Sequence, residues 1–516
     1  MPRFDNPDAL NAIDVSESHL GTQTDRAIMG LKASNIPASM FISGNSPVRI
    51  LESDSIPKIE SLDVDKMRFE LDRRINWFRK SKTQSGDWEV SRTSPKVEIV
   101  RNVLSCPELY ELPRLTRIVT APVFSLSGDL QLNPGYDSGT KTFYCPSPGL
   151  IIPQISETPN EGEVEAARQL IWDTWLGDFT FTSISEHANA LALVITPFVR
   201  EMIRGATPLH LIEKNKPGTG ATLLADISTI LMLGEIASSG AAPESDAEWR
   251  KRISTKLLHS DPFFYIDNVA PGSLDYASVK QVLTVGTFED RRLGTNDLIE
   301  EDVRCIWIAT ANNLALPLEL LRRVVRIRLH ALTDKPELRK SVEQGGDIRN
   351  PLLRIWTEEN RSTLLWAIYT LVRNWVARGK PSPTVAPILG SFEHYCFTLG
   401  GILECAGVGG FLCNREDSYE MADPAEMAFQ NFLMNLHNQF GDTPITIASM
   451  MAFSSELDLG GGSDHGRRIK LGRMLHEKRA TPHSGYAISE PIYRDGYATY
   501  RIILSRQHQE QQKPIE

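Results

Sequence analysis

The sequence predicts an α/β fold built around a parallel sheet, and three observations predict it. Short apolar runs of strand length alternate with helical patterns between residues 208 and 329. A glycine-rich turn, Lys216-Pro217-Gly218-Thr219-Gly220-Ala221-Thr222-Leu223, follows one of those strands and opens the next helix. A second apolar strand, Phe263-Phe264-Tyr265-Ile266-Asp267, ends in a carboxylate. Strands that alternate with helices imply crossover connections and so a parallel sheet.

The glycine turn has the context of a phosphate-binding loop. Glycines let backbone N–H groups point inward at phosphate oxygens, and the following helix N-terminus favours an anion. Thr222 stands where a magnesium-binding hydroxyl belongs. Ala221 stands where the motif expects a lysine, and Lys214 or Lys216 is placed to reach back in its stead. The competing reading is a tight strand-to-helix turn with no ligand.

Asp267, at a strand tip, can hold magnesium through water. Its alternative is a turn residue, since Asp-Asn favours turns. A third strand, Ile306-Trp307-Ile308-Ala309-Thr310-Ala311-Asn312-Asn313, ends in amides. Asn312 there can orient a water beside a γ-phosphate, or simply make an Asn-Asn turn. Arg322 and Arg323 follow, as arginine fingers or as a solvated basic face, and Arg326 as a further arginine or a structural ion pair. Each feature has a plain structural alternative. Their order (glycine loop, helix, acidic strand, amide-tipped strand, paired arginines) favours a nucleotide site.

The rest of the chain is read around this centre. Residues 1–46 are polar and poorly periodic, a flexible leader. Residues 47–155 form an N-terminal α+β domain. In it a strand at 47–51, a helix at 66–79 and a helix at 97–104 precede an antiparallel meander at 116–144. Residues 160–334 are the nucleotide-binding core, 335–420 a helical lid or connector, and 507–516 a flexible tail. Residues 421–506 read as helix, helix and hairpin, the order of a winged helix-turn-helix. Its second helix carries Arg467, Arg468, Lys470 and Arg473. That basic helix suits DNA phosphates, although winged helices also bind proteins.

Composition narrows the class. The 516 residues allow about three or four domains. A formal net charge of -10 argues against a protein coated in basic charge but permits a local basic patch. The six cysteines lack a C-x-x-C pair, which speaks against structural zinc and a disulfide framework. With no signal-peptide pattern and no apolar run of about 20 residues, a soluble cytoplasmic protein is expected.

Over residues 47 to 505 the chain resembles the AAA+ and superfamily 3-like helicase modules of phage and mobile-element primase-helicase replication proteins. The residues that carry the resemblance are 121–124 with 135–137, Pro217 to Gly220, Ile266 to Val269, Thr310 to Asn313 and Arg322 to Arg326. The resemblance implies an AAA+ P-loop ATPase core and a ring, expected as a hexamer. It implies ATP and Mg2+ as cofactors, DNA (single-stranded or forked) as the track, and a primase or polymerase partner. It also implies a DNA-gripping hairpin at 288–296, where Arg291 and Arg292 contact phosphates or pair with Glu289 and Asp290. Ala221 and Asn268 stand where the family carries a lysine and a catalytic Glu. Two functions therefore follow: an ATP-dependent helicase-like motor, or a catalytically degenerate scaffold that binds DNA and nucleotide without turnover. An AAA+ transcriptional regulator is a third.

Overall fold

The computed structural model describes residues 12–504 except 18, 52–56, 292–297, 386–388, 416–423, 461–462, 480–485 and 495–496. It divides into two compact units, Met1–Asn414 and Arg415–Glu516.

The first unit opens with β1 (Ala12–Asp14), α1 (Leu20–Ala33), β2 (Met40–Ser43), β3 (Ser46–Leu51), β4 (Lys58–Ser61), α2 (Val64–Arg74), β5 (Asn76–Lys82), β6 (Trp88–Arg92) and α3 (Val97–Ser105). One small sheet runs β1-β5-β6 and another β2-β3-β4. Ala27, Leu31, Met67, Leu71, Ile99 and Val103 are fully buried between the helices and strands. Two expectations are corrected here. The leader expected over 1–46 is regular structure from Ala12 onward. Its buried Gln23 hides the helix from a hydrophobic count, because the amide donates to the Asp14 and Glu17 carbonyls and so needs no solvent. The helix expected over 66–79 stops at Arg74, where Ile75 turns extended and the chain enters β5. Pairing of β5 with β1 and β6 overrides the helical spacing of Ile75 and Phe78.

Next come β7 (Arg117–Val119), β8 (Gly135–Asp137) and β9 (Thr142–Tyr144), in the order β7-β9-β8. The expected antiparallel meander is half right: β8 and β9 are antiparallel, but β7 and β9 run parallel. Between them the chain is pinned elsewhere, with the Phe124 N–H on the Phe198 carbonyl and the Thr120 hydroxyl on the Met232 carbonyl. That detour makes it return in the same direction.

The α/β core follows. It contains α4 (Glu161–Gln169), which continues through a π-helical turn at Leu170–Trp175, then α5 (Ile184–Val199), β10 (Leu209–Lys214), α6 (Ala221–Leu233) and β11 (Ser239–Gly240). After these run α7 (Asp246–Leu258), β12 (Phe263–Val269), α8 (Ala277–Val282), β13 (Thr287–Arg291), β14 (Leu298–Asp302), β15 (Ile306–Asn312), α9 (Leu318–Leu321) and β16 (Val324–Leu329). Five parallel strands lie in the order β11-β12-β15-β10-β16. From β10 the chain moves to the far edge, works back to β15, then crosses to β16 on the other side. Strand order thus reverses beside β10, the kind of point where open α/β sheets leave a crevice at the strand C-termini. Strands β13 and β14 form the expected antiparallel hairpin.

Helices α10 (Leu353–Glu359), α11 (Arg361–Ala377) and α12 (Glu393–Cys405) pack on helices α4, α5 and α6 of the core, and Tyr395 of α12 reaches His210 of β10. Leu364, Tyr369, Leu399 and Ile402 share one buried core with Leu191, Leu224 and Ile308. Arg361, itself buried, donates to the Leu231 and Met232 carbonyls at the end of α6. The segment expected as a lid is therefore anchored to the core along α10 to α12. No helix among the described residues is long and apolar enough to cross a membrane.

The second unit holds α13 (Pro424–Phe440), β17 (Ile445–Thr446), α14 (Ile447–Met450), α15 (Asp464–Lys478), β18 (Tyr486–Ile488), β19 (Ile492–Arg494), β20 (Tyr497–Tyr500) and β21 (Ile502–Leu504). β19 and β20 are antiparallel, as are β18 and β21. Phe429, Leu433, Leu436, Leu471, Leu475 and Ile502 form its core. Ile445 and Thr446 pair with β20, so the helix that follows, α14, is only one turn long.

Candidate nucleotide site

The glycine loop joins the C-terminal end of β10 to the N-terminus of α6. Gly218 and Gly220 have φ of 80° and 104°, a left-handed backbone that side chains disfavour. Space is short as well. A Cβ on Gly218 would stand 2.9 Å from the Glu337 carboxylate, and one on Gly220 would stand 3.2 Å from the Phe179 ring. The Thr219 hydroxyl closes the loop on the Lys216 carbonyl at 2.7 Å. Gly220 caps α6 with no side-chain hydrogen bond. The first-turn N–H groups lack intrahelical partners, so this end of α6 suits an anion. Pro217 lies within the loop, and Leu223 packs against the core behind it.

The side chains around the loop supply little positive charge. Ala221 is 1% exposed and belongs to the core. Lys216 pairs with Asp334 at 2.6 Å, and that ion pair holds the Asp334 carboxyl below the usual range. Glu337, in the 3-10 turn Pro336–Leu338, leans over Gly218.

Across the loop, Asp267 ends the apolar run of β12. Its Oδ1 accepts hydrogen bonds from the hydroxyls of Thr310 at 2.5 Å, Thr222 at 3.1 Å and Tyr265 at 3.4 Å. β15 lies between β12 and β10, which sets Thr310 between the acidic strand and the loop strand. Asn268 sits at φ 56° where the strand register shifts, and its backbone N–H donates to Thr310 Oγ1 at 2.8 Å. Asn tolerates this left-handed position better than most residues. The Asn268 side chain faces solvent.

One turn beyond Thr222 on α6, Asp226 pairs with Arg354 of α10 at 2.6 Å. Burial pushes the Asp226 carboxyl upward, Arg354 opposes this, and the charge of Asp267 adds to the rise. Phe179, against Gly220, neighbours Phe181, and His187 stacks between Phe181 and Trp172 with ring centroids 4.4 and 3.5 Å away. Burial lowers its pKa to about 3, so the imidazole is neutral.

The donor set fits a hard cation. Thr222 and Asp267 offer adjacent oxygens of the type magnesium takes. Among the described residues no group of three His, Cys, Asp or Glu gathers to hold a metal.

The remaining expected site residues are dispersed. Asn312 is exposed at the tip of β15, opposite Lys214 of β10, and Thr310 rather than Asn312 bonds Asp267. Arg322 is exposed. Arg323 is turned inward, 8% exposed, donating to the Lys280 carbonyl at 3.0 Å and facing Glu319 at 3.5 Å. Arg323 is thus engaged within its own chain, with its buried Nε left without a partner among the described residues. Arg326 makes a buried bidentate pair with Glu213 at 2.6 and 2.8 Å. In the hairpin Arg291 is exposed, while Asp290 binds the Ser254 hydroxyl at 3.1 Å; Arg292 lies outside the described residues. On α15, Arg468, Lys470 and Arg473 are exposed and Arg467 is half-buried, with Leu471 and Leu475 facing the core. Arg468 pairs with Asp464 at 2.6 Å.

Thr310, Tyr265, Asp226 and Arg354 escaped sequence reasoning. Thr310 carried one signal, a hydroxyl in an apolar strand two residues before its polar tip. Compared with models of known families and with curated proteins, the sequence gives no match.

Proposed function

We propose that this chain is an AAA+-type nucleotide-binding module that works on DNA. The observation that carries the reading is the Thr222–Asp267–Thr310 cluster beside the uncapped start of α6, at the C-terminal ends of a parallel sheet. Backbone N–H groups of the loop bind the nucleotide's phosphates. Thr222 and Asp267 hold the magnesium ion, which neutralises phosphate charge when bound. Thr310 keeps Asp267 oriented. Arg322, exposed, is the arginine that completes a neighbouring subunit's site in a ring. The helix-helix-hairpin order of the second unit and the basic face of α15 support a winged helix on DNA, with Arg467, Arg468, Lys470 and Arg473 near phosphates.

Two readings of turnover remain, a helicase-like motor and a scaffold without hydrolysis. Specific observations favour the scaffold: buried Ala221, exposed Asn268 in place of an acid, and Glu337 against the loop. ATP hydrolysis by the full chain with and without single-stranded DNA separates them. The scaffold reading expects nucleotide and DNA binding with a hydrolysis rate at the buffer level. A DNA-stimulated rate establishes the motor.

A further inference from the structure

The hairpin of β5 and β6 stands clear of the N-terminal helices. Trp77 and Phe78 are buried, but from Arg79 to Arg92 every residue except half-buried Thr83 is exposed. Among the described residues β1 pairs with Asn76 to Phe78 alone, and no strand pairs with the outer edge of β6. Cross-strand pairing is Phe78 with Arg92, Lys80 with Val90, and Lys82 with Trp88. Directly opposed residues share a face, as do residues two apart. One face therefore carries Lys80, Lys82, Arg92, Trp88 and Val90, and the other carries Arg79, Ser81, Glu89 and Ser91.

The first face combines cations with an open aromatic ring. Trp88 is 67% exposed, a large apolar surface to leave in water. The Lys82 ammonium lies 5.3 Å from its ring centre, and that of Lys80 lies 5.5 Å from Phe78. Among the described residues Lys80, Lys82 and Arg92 have no ion-pair partner. The nearby carboxylates are otherwise engaged or turned away. Asp87 accepts the Ser85 hydroxyl in the hairpin turn and Glu89 is on the opposite face. Asp14, which accepts from Ser16, also feels the charge of Lys80, so Lys82 and Arg92 are the cations left furthest from a carboxylate on this face. In a chain of net charge -10 this is a local positive surface with a ring at its outer end, where Trp88 pairs with Lys82.

We propose that this face of the β5–β6 ribbon binds single-stranded nucleic acid, separately from the glycine loop and from α15. Lysines take phosphates, and an exposed indole offers a stacking platform to an unpaired base of any sequence. An extended, flat ribbon suits an extended strand. A lipid surface would need a broader apolar face to insert, and Val90 is the sole exposed apolar neighbour of Trp88 on this side.

The test is anisotropy of a fluorescent 20-nucleotide single strand with the full chain over a salt series, beside a duplex and anionic vesicles. Trp88→Ala is expected to weaken single-strand binding about tenfold with the salt slope unchanged. Lys80→Glu with Lys82→Glu is expected to lower the slope by about 1.4, two phosphate contacts at about 0.7 each. Arg79→Glu, on the opposite face, controls for bulk charge and is expected to change binding less than twofold. The proposal is overturned if Trp88→Ala and the lysine pair leave affinity within twofold, or if Arg79→Glu weakens it equally. It is also overturned if Trp88→Ala abolishes vesicle binding and leaves the oligonucleotide untouched.

Discussion

The glycine loop and the acidic strand end face each other across Thr222, yet they are built from different material. The loop is made by backbone: two left-handed glycines and an uncapped helix start. Its neighbouring side chains are buried or engaged elsewhere, with Ala221 in the core, Lys216 on Asp334 and Glu337 leaning in. The strand end is made by side chains, with three hydroxyls on one carboxylate oxygen. Backbone geometry can hold an anion without a lysine, because helix N–H groups supply the positive end. Turnover needs charges in the right places, and those are the side chains the loop lacks. The two halves thus support binding more strongly than hydrolysis.

That contrast can be broken from either side. The largest effect is expected from Gly220→Val, which forces a β-branched residue to φ 104° and against Phe179. A stability loss of about 1–3 kcal/mol follows from backbone strain, and nucleotide binding is lost entirely. Denaturant unfolding and titration with a fluorescent ATP analogue measure both. Asp267→Ala comes next. It removes the acceptor of the buried Thr310 hydroxyl, costing about 1–3 kcal/mol, and it abolishes the magnesium dependence of binding while leaving weak magnesium-free binding to the loop. Retained magnesium dependence would show that the strand end is not the metal side of the site.

Acid sharpens the comparison, since the aromatic cluster that continues from Phe179 through Phe181 contains a neutral histidine. The folded pKa of His187 is about 3, against an ordinary value of 6.5. The unfolded chain therefore binds more protons between those values. Stability is full above about 6.5 and falls as pH drops toward 3. His187→Phe is expected to flatten that slope in urea unfolding followed from pH 7 to pH 4. Unchanged slopes would place the acid-sensitive group elsewhere, with buried His210 the next choice. The smallest effect is expected from Glu337→Gln. Removing a negative charge at the rim of the loop should tighten nucleotide binding two- to fivefold, in line with about 1 kcal/mol for a close pair of charges in water.

Legibility followed the source of each signal. Gly218, Gly220 and Asp267 could be read because glycine spacing and a strand-ending carboxylate are local patterns. Thr310 could not, because its contact depends on β15 lying between β12 and β10, and sheet order is not written in any one segment. Arg322 and Arg323 looked equivalent in sequence. Only packing separates them, with Arg323 held by the Lys280 carbonyl. The N-terminal region was read worst. Helix α1 buries Gln23 and Thr24, whose side chains satisfy themselves on backbone carbonyls, while Met29 is exposed, so its apolar stripe is broken. β5 was read as helix because Ile75 and Phe78 continue the spacing of α2, and strand pairing decided otherwise.

The central claim is that the loop binds nucleotide without a lysine. Equilibrium titration of the full chain with a fluorescent ATP analogue and magnesium tests it most directly, with Gly220→Val and Asp267→Ala alongside. Saturable binding by the wild type, lost in the glycine variant and no longer magnesium-dependent in the aspartate variant, is the predicted result. Absence of saturable binding by the folded wild type at millimolar nucleotide would contradict it and leave the loop a turn between strand and helix.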